Sequence, residues 1–142
     1  MNQDLDSTQR LIWRKQWIAS LHGFTSLHEQ ELLWLGRKPG EMSSYVECMS
    51  MYFDDSLHGE PLQAMCDRGM LSLAEMESVG NFHFAADNYS EPKDYNGDDS
   101  VILSDPAWNE IVLAAQDAWA RLLECIESED EKVYMENLDA RI

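Results

Sequence analysis

Basic residues are scarce in this sequence. Ten lysines and arginines stand against 27 aspartates and glutamates, a formal charge of −17 over 142 residues. Such a chain repels phosphate, which argues against nucleic acid and anionic membrane surfaces as partners. Cysteine is scarce too: Cys48, Cys66 and Cys125 are odd in number and far apart, and no CxxC occurs. A disulfide framework is therefore not expected, and each cysteine reads as a small core hydrophobe in a reducing compartment. No apolar run approaches the ~20 residues of a membrane helix. The start, MNQDLDSTQR, has neither the basic segment nor the apolar stretch of a secretory signal. These absences point to a soluble, cytoplasmic chain. The P-loop, the GxSxG elbow, the dinucleotide fingerprint and HExxH are also missing, so no catalytic residue, metal or cofactor is expected.

What is present is helical punctuation. Hydrophobic residues make up 44% of the chain, enough for the core of one domain. Four pairs read as capping boxes: Ser26 with Glu29, Ser44 with Glu47, Ser72 with Glu75, and Ser128 with Glu131. Residues 7–22 form a first helix stopped by Gly23, with Arg14 inside its apolar arc, so that Arg14 either snorkels or has an acidic partner. Tyr45, Val46, Met49, Tyr52 and Phe53 follow helical spacing. Pro61 suits the first position of a short helix ending at Gly69. The helix from Ser72 to about Asp87 is given an apolar face of Leu73, Met76, Val79, Gly80 and Phe84. The strongest element runs over 105–127, where Trp108, Ile111, Val112, Ala115, Ala118, Trp119, Leu122 and Ile126 make one stripe. "VIL" at 101–103 reads as a short extended piece. The expected architecture is an all-α, single-domain helical bundle of about six or seven helices, with a long acidic loop before the main helix.

Two stretches invite chemistry. "DYNGDDSVILSD", residues 94–105, places Asp94, Asn96, Asp98 and Asp105 like the ligands of a calcium loop. Its sixth position is Asp99 rather than glycine, its twelfth is Asp105 rather than glutamate, and Pro92 opposes the entering helix. A solvated acidic loop is the better reading. His83 and Asp87 stand one helical turn apart. They are either a structural His–Asp pair or, with Asp54, Asp55 and His58, a two-helix metal site. The lack of an ExxH motif favours the pair.

Charge is uneven along the chain. Residues 1–38 carry five basic and four acidic residues, net +1, whereas 39–142 carry five basic and 23 acidic, net −18. Such a bias is either solubilising surface or a binding face. In size, class and charge the chain resembles the bacterial immunity proteins that neutralise nuclease toxins, those of colicins and of contact-dependent growth inhibition systems. The resemblance implies an inhibitor with a basic toxin as partner. It transfers no residue role. From the residues themselves, the candidate partner-binding acids are Asp54, Asp55 and Glu60 in one interhelical break, and Asp87, Glu91, Asp94, Asp98 and Asp99 in another, the two breaks meeting at one end of the bundle. A small metal-dependent hydrolase using His58, His83, Asp54, Asp55 and Asp87, or an adaptor for a cellular protein, are the alternatives.

Overall fold

The computed structural model describes residues 3–141, and among them every regular element is helical. Helix α1 spans Gln3–His22, α2 Leu27–Trp34, α3 Tyr45–Ser50, α4 Leu62–Asp67, α5 Leu73–Asp87, α6 Asp99–Leu103, α7 Pro106–Cys125 and α8 Glu129–Ala140. They pack round one core, so the chain is an all-α helical bundle. None of these helices is long and apolar enough to cross a membrane.

The cap residues explain most helix starts. The hydroxyls of Ser26, Ser44, Ser72 and Ser128 each accept from the backbone N–H three residues on, and Asp105 accepts from Ala107 ahead of α7. Each side chain satisfies one of the donors that a helix leaves open. Only Ser72 with Glu75 closes the full reciprocal box. At two of the other starts the glutamate is engaged elsewhere: Glu29 holds Lys38 at 2.7 Å, and Glu131 turns to Arg14 at 2.8 Å. Pro61 is the cap of α4 rather than its first residue. Gly36, with φ +67, lets the chain turn back so that Arg37 N–H donates to Leu32 C=O.

Three further expectations about the helices change. Helix α3 does not break at Asp54–Asp55; it widens into a π-helical segment, Met51–Ser56, and stops at His58 and Gly59, both left-handed. The widened turn buries Ser56, whose C=O accepts from Trp13 Nε1 at 2.6 Å. "VIL" is helical, not extended, because Asp98 caps Ser100 N–H and Ile102 enters the core. Helix α5 is rotated from the expected face. Val79 is buried as anticipated, but its companions are Glu75, Phe82 and Ala86, while Leu73 is 61% exposed and Phe84 72% exposed. The helix has apolar residues on both sides, so periodicity alone offered two solutions. Glu75, tied to Arg14, selects one.

Arg14 is 3% exposed and joins three helices. Its Nε and Nη2 donate to Glu131 at 2.8 and 2.9 Å. Nη1 and Nη2 donate to Glu75 at 2.8 and 2.6 Å, and Nη1 also reaches Met70 C=O at 2.8 Å. Every N–H of the guanidinium thus has an acceptor, the condition under which a buried ion pair is tolerated. Burial alone would lower the Arg14 pKa, but the two carboxylates drive it well above its ordinary value.

Trp108 is the aromatic centre. It is fully buried on α7, with the rings of Tyr89, Tyr45, Trp34 and Phe24 at 5.3, 5.5, 5.7 and 5.8 Å. Its indole N–H donates to Gln30 Oε1 at 2.9 Å, and Gln30 Nε2 donates to Gly23 C=O at 3.0 Å. The stripe read along 105–127 is buried throughout, Trp119 included.

Candidate functional site

The loop between α5 and α6 is pinned by tyrosines. Tyr45 donates its hydroxyl to Glu91 at 3.0 Å, Tyr89 to Asp105 at 2.7 Å, and Tyr95 to Asp99 at 3.3 Å. Asp99 also accepts from Tyr45 N–H at 3.0 Å, completing the start of α3. Burial raises the pKa of all three phenols, and the carboxylates beside them add to the effect. Hydrogen bonds from the hydroxyl and N–H of Ser100 hold the Asp98 carboxyl below its ordinary range. So Glu91, Asp98 and Asp99 have internal work, and the loop is a packed connection rather than a freely solvated one. Asp94 stays exposed at its tip.

This geometry also bears on calcium. The calcium reading needed Asp94, Asn96, Asp98 and Asp105 to converge, but Asp98 and Asp105 serve as helix caps with α6 between them. Among the described residues no three histidine, cysteine or acidic side chains are grouped to hold a metal. Millimolar calcium should therefore leave the thermal midpoint where it is; a saturable rise, lost on Asp94→Ala with Asp98→Ala, would restore the calcium loop by linkage.

The second acidic group lies elsewhere. Helix α3 starts beside Asp99 and Glu91 and reaches Asp54 nine residues later, about 13 Å along the axis. Asp54, Asp55 and Glu60 therefore stand at the other end of the α3–π segment from Glu91 and Asp99. Asp54 accepts from Ser50 Oγ at 3.2 Å. Glu60 is clasped by Arg68 through two bonds of 2.6 Å, which lower its pKa. Asp55 is exposed.

Between the two groups lies His83. Its Nδ1 is hydrogen-bonded to the Tyr52 hydroxyl at 2.9 Å, and the Tyr52 and Phe53 rings lie 5.6 and 5.4 Å away. Its structural partner is thus a tyrosine, and Asp87 acts on it through charge alone. Burial lowers the His83 pKa more than Asp87 raises it. His58, His83, Asp54, Asp55 and Asp87 are not gathered into a ligand set.

The acids nearest this face share one property. Among the described residues, Asp54, Asp55, Asp87, Glu91, Asp94, Asp98 and Asp99 enter no ion pair. The paired lysines and arginines are engaged with Glu75, Glu131, Glu31, Glu29, Glu41, Glu60, Asp117 and Glu129. These acids thus lack a paired cation, although the exposed Lys93 stands beside Asp94 in the same loop.

Sequence reasoning missed two features. One is the outward face of α5, where Leu73 and Phe84 are exposed. The other is a cleft of about 410 Å³ between α1, α2, α3 and the end of α8, lined by His22, Gln30, Trp34, Lys38, Cys48 and Leu138 among others. No local motif marks it, because its walls come from distant segments. Lys38 holds Glu29, with Glu41 at 3.7 Å, and His22 Nε2 lies 3.1 Å from Asp139, while Arg141 on the same wall enters no ion pair among the described residues. Burial lowers the His22 pKa against the pull of Asp139 and pushes the Cys48 thiol far up, away from nucleophilic chemistry. No protein-family model matches the chain, no curated protein matches it, and no solved structure matches it.

Proposed function

We propose that this chain is an acidic protein inhibitor that binds and neutralises a basic toxin, a nuclease by class. The observation that carries the reading is the set of carboxylates on the α3–α5 side that enter no ion pair with a lysine or arginine among the described residues. Leaving like charges together works against compaction, and a basic partner relieves it. A nuclease presents cations to phosphate, and an acidic surface can occupy the same ground. Complementary potential mainly raises the association rate and selects the partner, whereas close contacts set the lifetime of the complex.

Charge reversal at Asp98 and Asp99 would be an unclean test, because it removes the α6 cap and the Tyr45 contact. Asp55, Asp87 and Asp94 are exposed and serve no cap. The purified chain should inhibit one member of a panel of basic bacterial nuclease toxin domains at equal stoichiometry. Its association rate should fall about tenfold or more as salt rises from low to physiological strength. The variant Asp55→Lys, Asp87→Lys, Asp94→Lys should associate at least that much more slowly at low salt, with unchanged circular dichroism. Failure to inhibit any of the panel, or a rate indifferent to salt and to the three substitutions, would remove the reading.

A further inference from the structure

We propose that the outward face of α5 is the docking surface for a basic amphipathic segment of the partner, seated on Leu73 and Phe84 across a notch at Gly80, an inference that rests on the inhibitor reading above. Leu73, Glu77, Gly80, Phe84 and Asp87 recur at alternating spacings of four and three residues and so form one stripe, about 21 Å long. A single exposed apolar side chain is ordinary on a protein surface. Here two large ones share the stripe, and a glycine stands between them.

That glycine has no explanation within the chain. Gly80 lies inside a helix, where glycine is less stable than alanine, and its φ is not in the left-handed region. A Cβ built on it would meet nothing within 4 Å. Neither backbone conformation nor packing requires it. What glycine does supply is room for another backbone to come close. With Phe84 one turn later, the arrangement is an aromatic knob beside a hole, the form that anchors an interface.

The rim decides what fits. Glu77 and Asp87 lie on the stripe itself, and Asp54 and Asp55 follow Phe53, whose ring packs against His83. None of the four has an ion pair among the described residues. A second copy of the chain would bring the same acids and another −17 charges to the contact, and an anionic membrane would be repelled likewise. A segment with lysines and arginines flanking an apolar ridge satisfies both the stripe and its edge.

The probe is a synthetic peptide of about 20 lysine, leucine and alanine residues, with leucines at helical spacing, a length sufficient to cover the stripe. Its control is a permuted isomer of the same composition without that periodicity. At physiological salt the periodic peptide should bind the intact chain about tenfold or more tightly than its isomer. Amide shifts should concentrate in residues 73–87. Phe84→Ser should abolish the difference while leaving the fold intact, because the ring is mostly exposed. Gly80→Gln should move two readouts in opposite directions, raising the thermal midpoint while weakening the periodic peptide. Equal binding of both peptides, with shifts centred on 91–99, would overturn the docking surface yet leave an acidic inhibitor standing. No binding of either peptide at low salt would overturn both. A concentration-dependent dimer that Phe84→Ser dissolves would assign the face to a second copy instead.

Discussion

Arg14→Ala should lower the unfolding free energy by about 3–5 kcal/mol, since it strands two buried carboxylates without their shared cation. Globular domains hold only about 5–15 kcal/mol in all, so urea unfolding should show a midpoint shifted by a large fraction of its value. The loss would come from the glutamates rather than from missing attraction. Accordingly, Arg14→Met combined with Glu75→Gln and Glu131→Gln should recover much of it, since the amide oxygen introduced by Glu75→Gln can still accept from Ser72 N–H. The same site sets an acid limit. Burial pushes the Glu75 carboxyl up, but the hydrogen bonds from Arg14 and Ser72 outweigh it, and its pKa lies below the ordinary 4.5. A lowered folded pKa means that the stabilisation is fully present above 4.5 and is lost as pH falls through the folded value. Wild-type stability should therefore decline steeply below pH 4.5, and Arg14→Ala should flatten that decline. An Arg14→Ala protein as stable as wild type, with the same acid profile, would mean that the triad does not form.

Trp108→Ala should cost at least as much. Removing a fully buried indole leaves a cavity that the neighbouring rings can only partly fill, about 3–5 kcal/mol for such a truncation. Gln30 Oε1 would also lose its donor in the interior, adding to the penalty. The effect should spread beyond the cavity. Tyr45 and Tyr89, which pack on Trp108, also hold Glu91 and Asp105, so amide exchange in residues 88–99 should quicken more than exchange in α8. A loss below about 1 kcal/mol by chemical unfolding would contradict the central position given to this side chain.

The two sites divide the acids of the chain by what they do. Glu75, Glu131 and Asp99 are tied into the fold, and replacing them tests stability. Asp55, Asp87 and Asp94 are exposed and serve no cap, and replacing them tests association. The distinction matters for any partner, because a rim charge acts through a long-range field that salt screens, whereas an apolar anchor acts only on contact.

Much of the fold was legible without coordinates because it is local. A serine hydroxyl reaches an N–H three residues away whatever the rest of the chain does, so the starts of α2, α3, α5 and α8 follow from Ser26, Ser44, Ser72 and Ser128. Helix α7 was legible because most of its large apolar residues fall on one side, with Leu113 the exposed exception, and Arg14 could be expected to seek acids because it falls inside an apolar arc. Tertiary structure decided what sequence left symmetric. Helix α5 is apolar on both sides, and the choice that buries Phe82 and exposes Phe84 was made by an arginine 61 residues from Glu75. "VIL" carried no periodicity of its own, and Asp98 with the core around Ile102 made it a helix. The acids looked alike in sequence. Only the positions of three tyrosines and of the cations separate those that hold the loop from those left facing water, because a charge is neutralised by what lies near it in space, and proximity in this bundle joins residues that are far apart along the chain.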